Sequence, residues 1–370
     1  MTEQILPELH IGQLTARLPI IQGGMGVGVS LSGLASAVAN AGGVGVIATA
    51  GIGMLEPDIN RHFREANARA LKREIQQAKA ATEGIIGVNI MIALSDHESL
   101  LLTSLDAGAD IVFMGAGLPL KIPQIVTPER LREGATRVVP IVSSGRAAAL
   151  ICKSWLKQNC LPDAFVVEGP KAGGHLGFKK TQLNDPAFGL ENLLADVITA
   201  VEPFEQQAGR AIPVIAAGGI YTGADIYKFM ELGASGVQMA TRFVATYECD
   251  ADIRFKQAYL DTRKQDIMII DSPVGLPGRA IRNTFLQDVS AGEKKPFKCP
   301  WKCLRTCDFR KAPYCIGMAL TNAKQGLLDD GFVFAGANAW RVNEIVSVQE
   351  LMDALEREYQ TVSMVEEIFV

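Results

Sequence analysis

Histidine is scarce in this chain, with four in 370 residues, so one in an unusual setting stands out. Aromatic residues are also few, at 6%, which leaves little material for the stacking platforms that hold single-stranded nucleic acid. Long basic runs are missing. With a formal charge of −4 and a pI near 5.7, the chain does not gather the Lys and Arg that phosphate backbones need, and no nucleic-acid partner is expected. Long hydrophobic runs are missing as well. The first eighteen residues carry Glu3, Glu8 and Arg17 and do not read as a secretory leader. The stretch from Pro19 to Leu55 holds no charged residue, yet Gly, Ser and Asn break it up. It reads as buried strand, short helix and buried strand, and no membrane partner is expected. Seven cysteines are an odd number for a disulfide framework, and four of them crowd into residues 299–315. A reducing cytoplasm is the expected setting.

What is present is a rhythm. Short apolar runs recur at 19–25, 44–50, 85–92, 111–117, 138–144, 164–170, 212–219 and 236–243, each closed by small or polar residues. Runs without polar alternation fit strands buried on both faces. Helical patterns separate them. In "SLSGLASAVANAG", Leu31, Leu34, Ala35 and Val38 share a face; in "TGADIYKFMELGA", Thr222 is placed to cap, Ile226 and Met230 share a face and Gly233 marks the stop. Eight strands separated by helices predict an α/β fold, a (β/α)8 TIM barrel. Residues 57–82 read as an extra helix followed by the second barrel helix. After Arg242 the rhythm breaks, to resume at "GFVFAGANAW" and end in "SVQELMDALERE", a closing helix with Leu351, Met352 and Leu355 turned inward. The expected organisation is a barrel built from residues 1–249 and 331–370. A mainly helical segment, 250–330, is inserted between the last strand and the closing helix. A doubly wound dinucleotide fold is disfavoured, because "QGGMGVGVSLSG" has Val29 where the Gly-x-Gly-x-x-Gly fingerprint wants its third glycine.

In a barrel the strand ends converge on one face, and chemistry comes from them. Here they supply Gln22 to Met25, Thr49, Asn89, Gly115 to Gly117, Ser143-Ser144, Glu168 running on to His175, Gly218-Gly219 and Thr241. The set is poor in charge and rich in glycine. It suits a flat, polar cofactor gripped by backbone better than a metal ion or a pair of catalytic carboxylates. The ends "VIAAGGI" and "GVQMATR" stand where barrels often hold a phosphate through backbone N–H groups and helix N-termini. A phosphate-binding barrel enzyme working without flavin is consistent with these features alone.

Four segments, "PIIQGGM", "EGPKAGGHLG", "PVIAAGGI" and "GVQMATRFVAT", in this order and at barrel spacing, resemble the signatures of the nitronate monooxygenase (2-nitropropane dioxygenase) family. That family also includes flavin-dependent enoyl-acyl-carrier-protein reductases. The resemblance covers roughly residues 15–290 and the closing segment near 332–358. It implies an FMN-containing barrel whose phosphate sits at the loops after strands seven and eight, with the histidine of the AGGH segment over the flavin. By motif position, Gly23, Gly24 and Met25 would line the flavin through backbone, Asn89 would hydrogen-bond its ring system, and Gly174 would approach it closely. Gly218, Gly219, Met239, Ala240 and Thr241 would hold the phosphate; Gln238 belongs to the same segment, its direction left open. His175 would be the catalytic residue. The resemblance implies an oxidoreductase, expected here to be a nitronate monooxygenase acting on a small-molecule substrate with O2. Enoyl or quinone reduction with NAD(P)H as reductant is the alternative at the same site, and a homodimer is one assembly open to such a chain. Lys171 departs from the acidic or amide residue the family commonly places there, and Ala240 stands where a glycine is usual.

An imidazole near pKa 6.5 can remove a proton alpha to a nitro group or orient a nitronate anion. The other histidines, His10, His62 and His97, lie in terminal or helical segments and read as surface residues. Cys299, Cys303, Cys307 and Cys315 have C-x3-C-x3-C-x7-C spacing, which is not part of the family pattern. If helical, the first three stack on one face. Zinc or an iron–sulfur cluster is one reading; small buried hydrophobes are the plainer one.

Overall fold

The structure, a computed structural model, describes residues 6–123 and 125–369. Residues 1–5, Glu3 of the leader reading among them, lie outside the described residues.

A hairpin, β1 (Leu9–Ile11) and β2 (Leu14–Ala16), leads into the first barrel strand, β3 (Ile20–Gln22). Strand and helix then alternate: α1 (Ser32–Asn40), β4 (Val44–Ala48), α2 (Phe63–Ala81), β5 (Ile85–Met91), α3 (His97–Asp106), β6 (Ile111–Gly115), α4 (Pro128–Glu133), β7 (Arg137–Val142), α5 (Gly145–Leu156) and β8 (Phe165–Glu168). A two-residue strand, β9 (Gly174–His175), precedes α6 (Leu190–Ala208), β10 (Val214–Ala217), α7 (Gly223–Glu231) and β11 (Gly236–Met239). β3, β4, β5, β6, β7, β8, β10 and β11 pair in parallel and close on themselves, which is the expected TIM barrel. Below the mouth the strands are apolar on both faces for a physical reason. Ile21, Val46, Phe113, Val139, Val166 and Ile215 fill the barrel interior, while Ile20, Ile47, Val112, Val138, Val167 and Ala216 pack under the helices. Leu9 and Ile11 join the inner cluster and plug the floor of the barrel. The charge-free stretch from Pro19 is buried strand, helix and strand, and no described helix is long and apolar enough to cross a membrane.

Two local expectations are corrected. The extra helix expected from residue 57 is a series of turns, and one helix begins at Phe63. Residues 299–315 hold no helix; they form turns and a bridge between Leu304 and Leu94, so the first three cysteines do not stack one turn apart.

After α8 (Thr241–Val244) the chain leaves the rhythm through α9 (Ile253–Leu260), the hairpin β12 (Ile267–Asp271) and β13 (Pro277–Ile281), α10 (Thr284–Ser290) and α11 (Ile316–Lys324). α12 (Val348–Phe369) then packs against α7 and α1 and completes the helix ring, burying Leu351, Met352 and Leu355. Phe285 and Ile316 of the inserted stretch belong to the same apolar cluster as the barrel's outer layer. The hairpin has one consequence for the site. β13 pairs with β9, so the insertion reaches across to the loop that carries His175.

Candidate functional site

The C-terminal mouth presents three polar side chains toward the barrel axis. Asn89 lies between Val88 and Ile90, Glu168 follows Val167, and Gln238 lies between Val237 and Met239; all of these apolar neighbours pack outward. Strand alternation therefore turns Asn89, Glu168 and Gln238 inward, which settles the direction of Gln238. None of the three side chains has a hydrogen-bond partner among the described residues. Burial pushes the Glu168 carboxyl up to about 7. Convergent, partly buried polar groups left without protein partners are what a ligand would satisfy.

Backbone forms the rest of the rim. A Cβ on Gly24 would lie 2.5 Å from the Asn89 Cβ, so only glycine lets this turn approach β5. Gly23 donates to the Met239 carbonyl at 2.7 Å, joining the ends of β3 and β11. Met25 is fastened by Ser30, whose hydroxyl accepts from its N–H at 2.9 Å. Met239 packs its side chain outward, so only its backbone faces this rim. Gly218 and Gly219 have φ of 94° and 97°, and a Cβ on them would strike the Gly169 carbonyl at 2.8 Å and the Lys171 Cβ at 2.7 Å. Consecutive glycines at positive φ make a turn that other residues rarely adopt, and turns with successive backbone N–H groups can form anion-binding concavities. Ala240 precedes α8 and offers no side-chain cap to Thr241.

The N-terminus of α7, expected to share in phosphate binding, is closed by side chains of its own first turn and of α12. Asp225 accepts from the Tyr221 and Thr222 N–H groups, Thr222 caps the Asp225 N–H, and Glu358 takes the Gly223 N–H. Of the backbone expected to receive a phosphate, this leaves the Gly218-Gly219 turn and the Ala240-Thr241 corner.

The histidine loop is held from two sides. Gly174 and His175 pair with Arg279 and Gly278 of β13, and Leu176 donates to Pro277. Gly174 has φ of 71°, and a Cβ on it would meet only the Phe334 ring, at 3.9 Å, so its exposed face has room for a flat group. His175 Nε2 lies 2.7 Å from the Ser272 hydroxyl, and the Phe334 ring stands edge-on to the imidazole with centroids 5.0 Å apart. Burial lowers His175 to about 4, so the imidazole is neutral at physiological pH, a correction to the ordinary value assumed from sequence. Arg279, buried and without a carboxylate partner among the described residues, donates to the Ala172 carbonyl. Burial lowers it to about 10, which still leaves it charged.

Sequence reasoning gave no role to Ser272, Arg279, Phe334, Gly336 or Asn338, although the segment 271–283 that holds the first two resembles the family's glycine–arginine segment. Asn338 donates to the Gly219 carbonyl at 2.6 Å, and a Cβ on Gly336 would lie 2.6 Å from the Thr241 hydroxyl. The glycine in "AGAN" was the available signal. The Lys171 stem lies along Gly219. His10 and His62 are exposed, and His97 is half-buried against the Leu94 carbonyl. Cys299, Cys303, Cys307 and Cys315 line a separate cavity.

A closed parallel barrel whose mouth joins glycine-built turns to unpartnered polar side chains has the architecture of a barrel enzyme, a class in which ligands bind at the strand C-termini. The chain belongs to the nitronate monooxygenase family, whose sequence profile matches residues 8–358, and it is therefore an oxidoreductase. It is 29% identical over 276 residues to the (3aS,4S,5R,7aS)-5-hydroxy-7a-methyl-1-oxo-octahydro-1H-indene-4-carboxyl-CoA dehydrogenase of Mycobacterium tuberculosis, a match that takes in 75% of this chain and 66% of that protein, just under two thirds of its length. It is 26% identical over 336 residues to a probable nitronate monooxygenase of Staphylococcus aureus, over 82% of this chain and 86% of the relative. The solved structure of FabK from Thermotoga maritima has a TM-score of 0.74 and 26% identity, over 96% of both chains.

Proposed function

We propose that the protein is an FMN-dependent nitronate monooxygenase that oxidises small alkyl nitronates with O2. The observation that carries this reading is the neutral His175, fixed by Ser272 and Phe334 beside an open Gly174. A histidine with so low a pKa is a weak base, poorly suited to deprotonating a nitroalkane. It is suited to orienting a nitronate that arrives as an anion, by offering a ring N–H to its oxygen. The charged Arg279 guanidinium, on the β13 register position opposite Gly174, adds a positive field that favours an anion there.

The residues present fit FMN. Gly23, Gly24 and Met25 would line one edge of its ring system. The Asn89 and Gln238 amides would meet its polar atoms, and Gly174 would let it pass close to the histidine loop. Gly218, Gly219, Ala240 and Thr241 would hold the phosphate, with Asn338 bracing the turn. When bound, FMN supplies one- and two-electron redox chemistry. The protein's part is to seat substrate between His175 and the mouth, to keep that space apolar with Phe334, and to hold a proton on Glu168 near neutrality.

A second reading, an NAD(P)H-dependent enoyl-acyl-carrier-protein reductase, is favoured by the likeness to FabK along nearly the whole chain. Anaerobic titration of the FMN-loaded protein separates the two. Nitronate alone should bleach the flavin absorbance; bleaching by NADH or NADPH and not by nitronate would give the reductase reading the site.

A further inference from the structure

The reaction proposed above uses none of the four clustered cysteines. Cys299, Cys303, Cys307 and Cys315 line one small cavity whose other walls include Phe297, Phe309 and Ile316. All four are free thiols. Their surroundings are shaped around sulfur. Lys302 adopts a left-handed backbone, φ 48°, that a lysine rarely takes, and its N–H points to the Cys299 sulfur at 3.4 Å. Cys315 stands at the N-terminal cap position of α11. Hydrogen bonds from backbone to sulfur are the means by which proteins tune thiolate-ligated clusters.

Charge supports the same conclusion. Residues 293–311 carry seven Lys and Arg against two acidic residues, within a chain whose net charge is negative. Four thiolates around an iron–sulfur core carry a net negative charge, which a basic segment balances. The segment is docked, not loose. Ser95 donates to the Cys303 carbonyl at 2.9 Å and Arg305 donates to the Ala93 carbonyl at 3.0 Å, on the loop that leaves β5 just past Asn89.

We propose that Cys299, Cys303, Cys307 and Cys315 ligate a [4Fe–4S] cluster, a one-electron centre on the mouth side of the barrel. An all-thiolate donor set selects zinc or iron–sulfur clusters. A single zinc ion needs its sulfurs about 2.3 Å from one point. Among the described residues no three Cys, His, Asp or Glu side chains are grouped for a single ion. A four-iron cluster is ligated at its corners, so its thiolates stand apart around a larger body.

The test is iron and acid-labile sulfide analysis of the full-length protein purified without oxygen, with reconstitution by ferrous iron and sulfide where the isolated metal content is low. About four irons and four sulfides per chain are expected, together with an electron paramagnetic resonance signal after dithionite reduction. Cys303→Ala and Cys307→Ala should each lose most of the iron, while Cys160→Ala, at a buried cysteine outside the cavity, should keep it. A folded wild-type chain that retains no iron and sulfide after reconstitution, or that binds one zinc in their place, overturns the proposal. Iron and sulfide contents are independent of FMN content.

Discussion

His175 and Ser272 meet across 97 positions of sequence, with the imidazole Nε2 2.7 Å from the serine hydroxyl. Ser272 Oγ also faces the Val274 N–H at 3.4 Å. A hydroxyl that accepts from Val274 is free to give its own proton to Nε2, which leaves the other ring nitrogen as the N–H donor. The serine therefore orients the histidine and selects its tautomer. Ser272→Ala should lower kcat by roughly tenfold and leave the stoichiometry of bound FMN unchanged. His175→Phe should cost about 100-fold or more. Steady-state kinetics on nitronate, with flavin content measured in parallel, checks both; a Ser272→Ala enzyme with wild-type kcat removes the serine from this role.

The pH behaviour of the two buried mouth groups runs in opposite directions. Folded His175 takes up its proton only near pH 4, against 6.5 for an unperturbed histidine. The unfolded chain therefore binds more protons between those values, and this group's contribution to stability is lost as pH falls from 6.5 toward 4. Glu168 keeps its proton up to about 7, against 4.5. Its contribution is complete below 4.5 and is lost as pH rises to 7. Glu168→Gln should stabilise the protein by about 1–3 kcal/mol above pH 7 and little under acidic conditions. It should also abolish any inflection in kcat/KM near pH 7. Denaturant unfolding across the pH range, beside a pH–rate profile, reads both effects.

Gly219→Ala places a Cβ 2.7 Å from the Lys171 Cβ at a φ of 97°. Such a residue costs about 1–3 kcal/mol if the turn holds its shape, and the turn relieves the strain by moving the N–H groups proposed to hold the phosphate. FMN affinity should fall at least tenfold. Fluorescence titration of apoprotein with FMN measures this, and wild-type affinity in the variant would move the phosphate away from this turn.

Lys171 is the family departure, and its stem lies on the same turn. Its ammonium is exposed, so its help to a bound phosphate is screened and modest. Lys171→Glu should weaken FMN binding by roughly two- to fivefold at low salt, with the difference shrinking as salt rises. A salt-independent difference would make the effect steric.

Much of the barrel was legible because a strand buried on both faces needs an apolar run, and eight such runs stood in order. Thr222 and Gly233 were readable as cap and stop because helix ends obey local rules, and they are found in those roles. What local rules could not give was register and distance. Gln238 turns inward only because Val237 and Met239 turn outward, which needs the sheet. The β12–β13 hairpin is held by β9, far away in sequence, and brings Ser272 and Arg279 with it. Thr222 illustrates the limit well. Its cap was foreseen, yet the same cap consumes the helix N-terminus that the sequence reading had assigned to phosphate.

The most direct test of the central claim is the absorbance of protein purified without oxygen, recorded before and after adding an alkyl nitronate. A two-banded flavin spectrum that bleaches with nitronate alone and returns on admitting O2 is the predicted result. A colourless protein that takes up no added FMN would contradict the flavin site altogether.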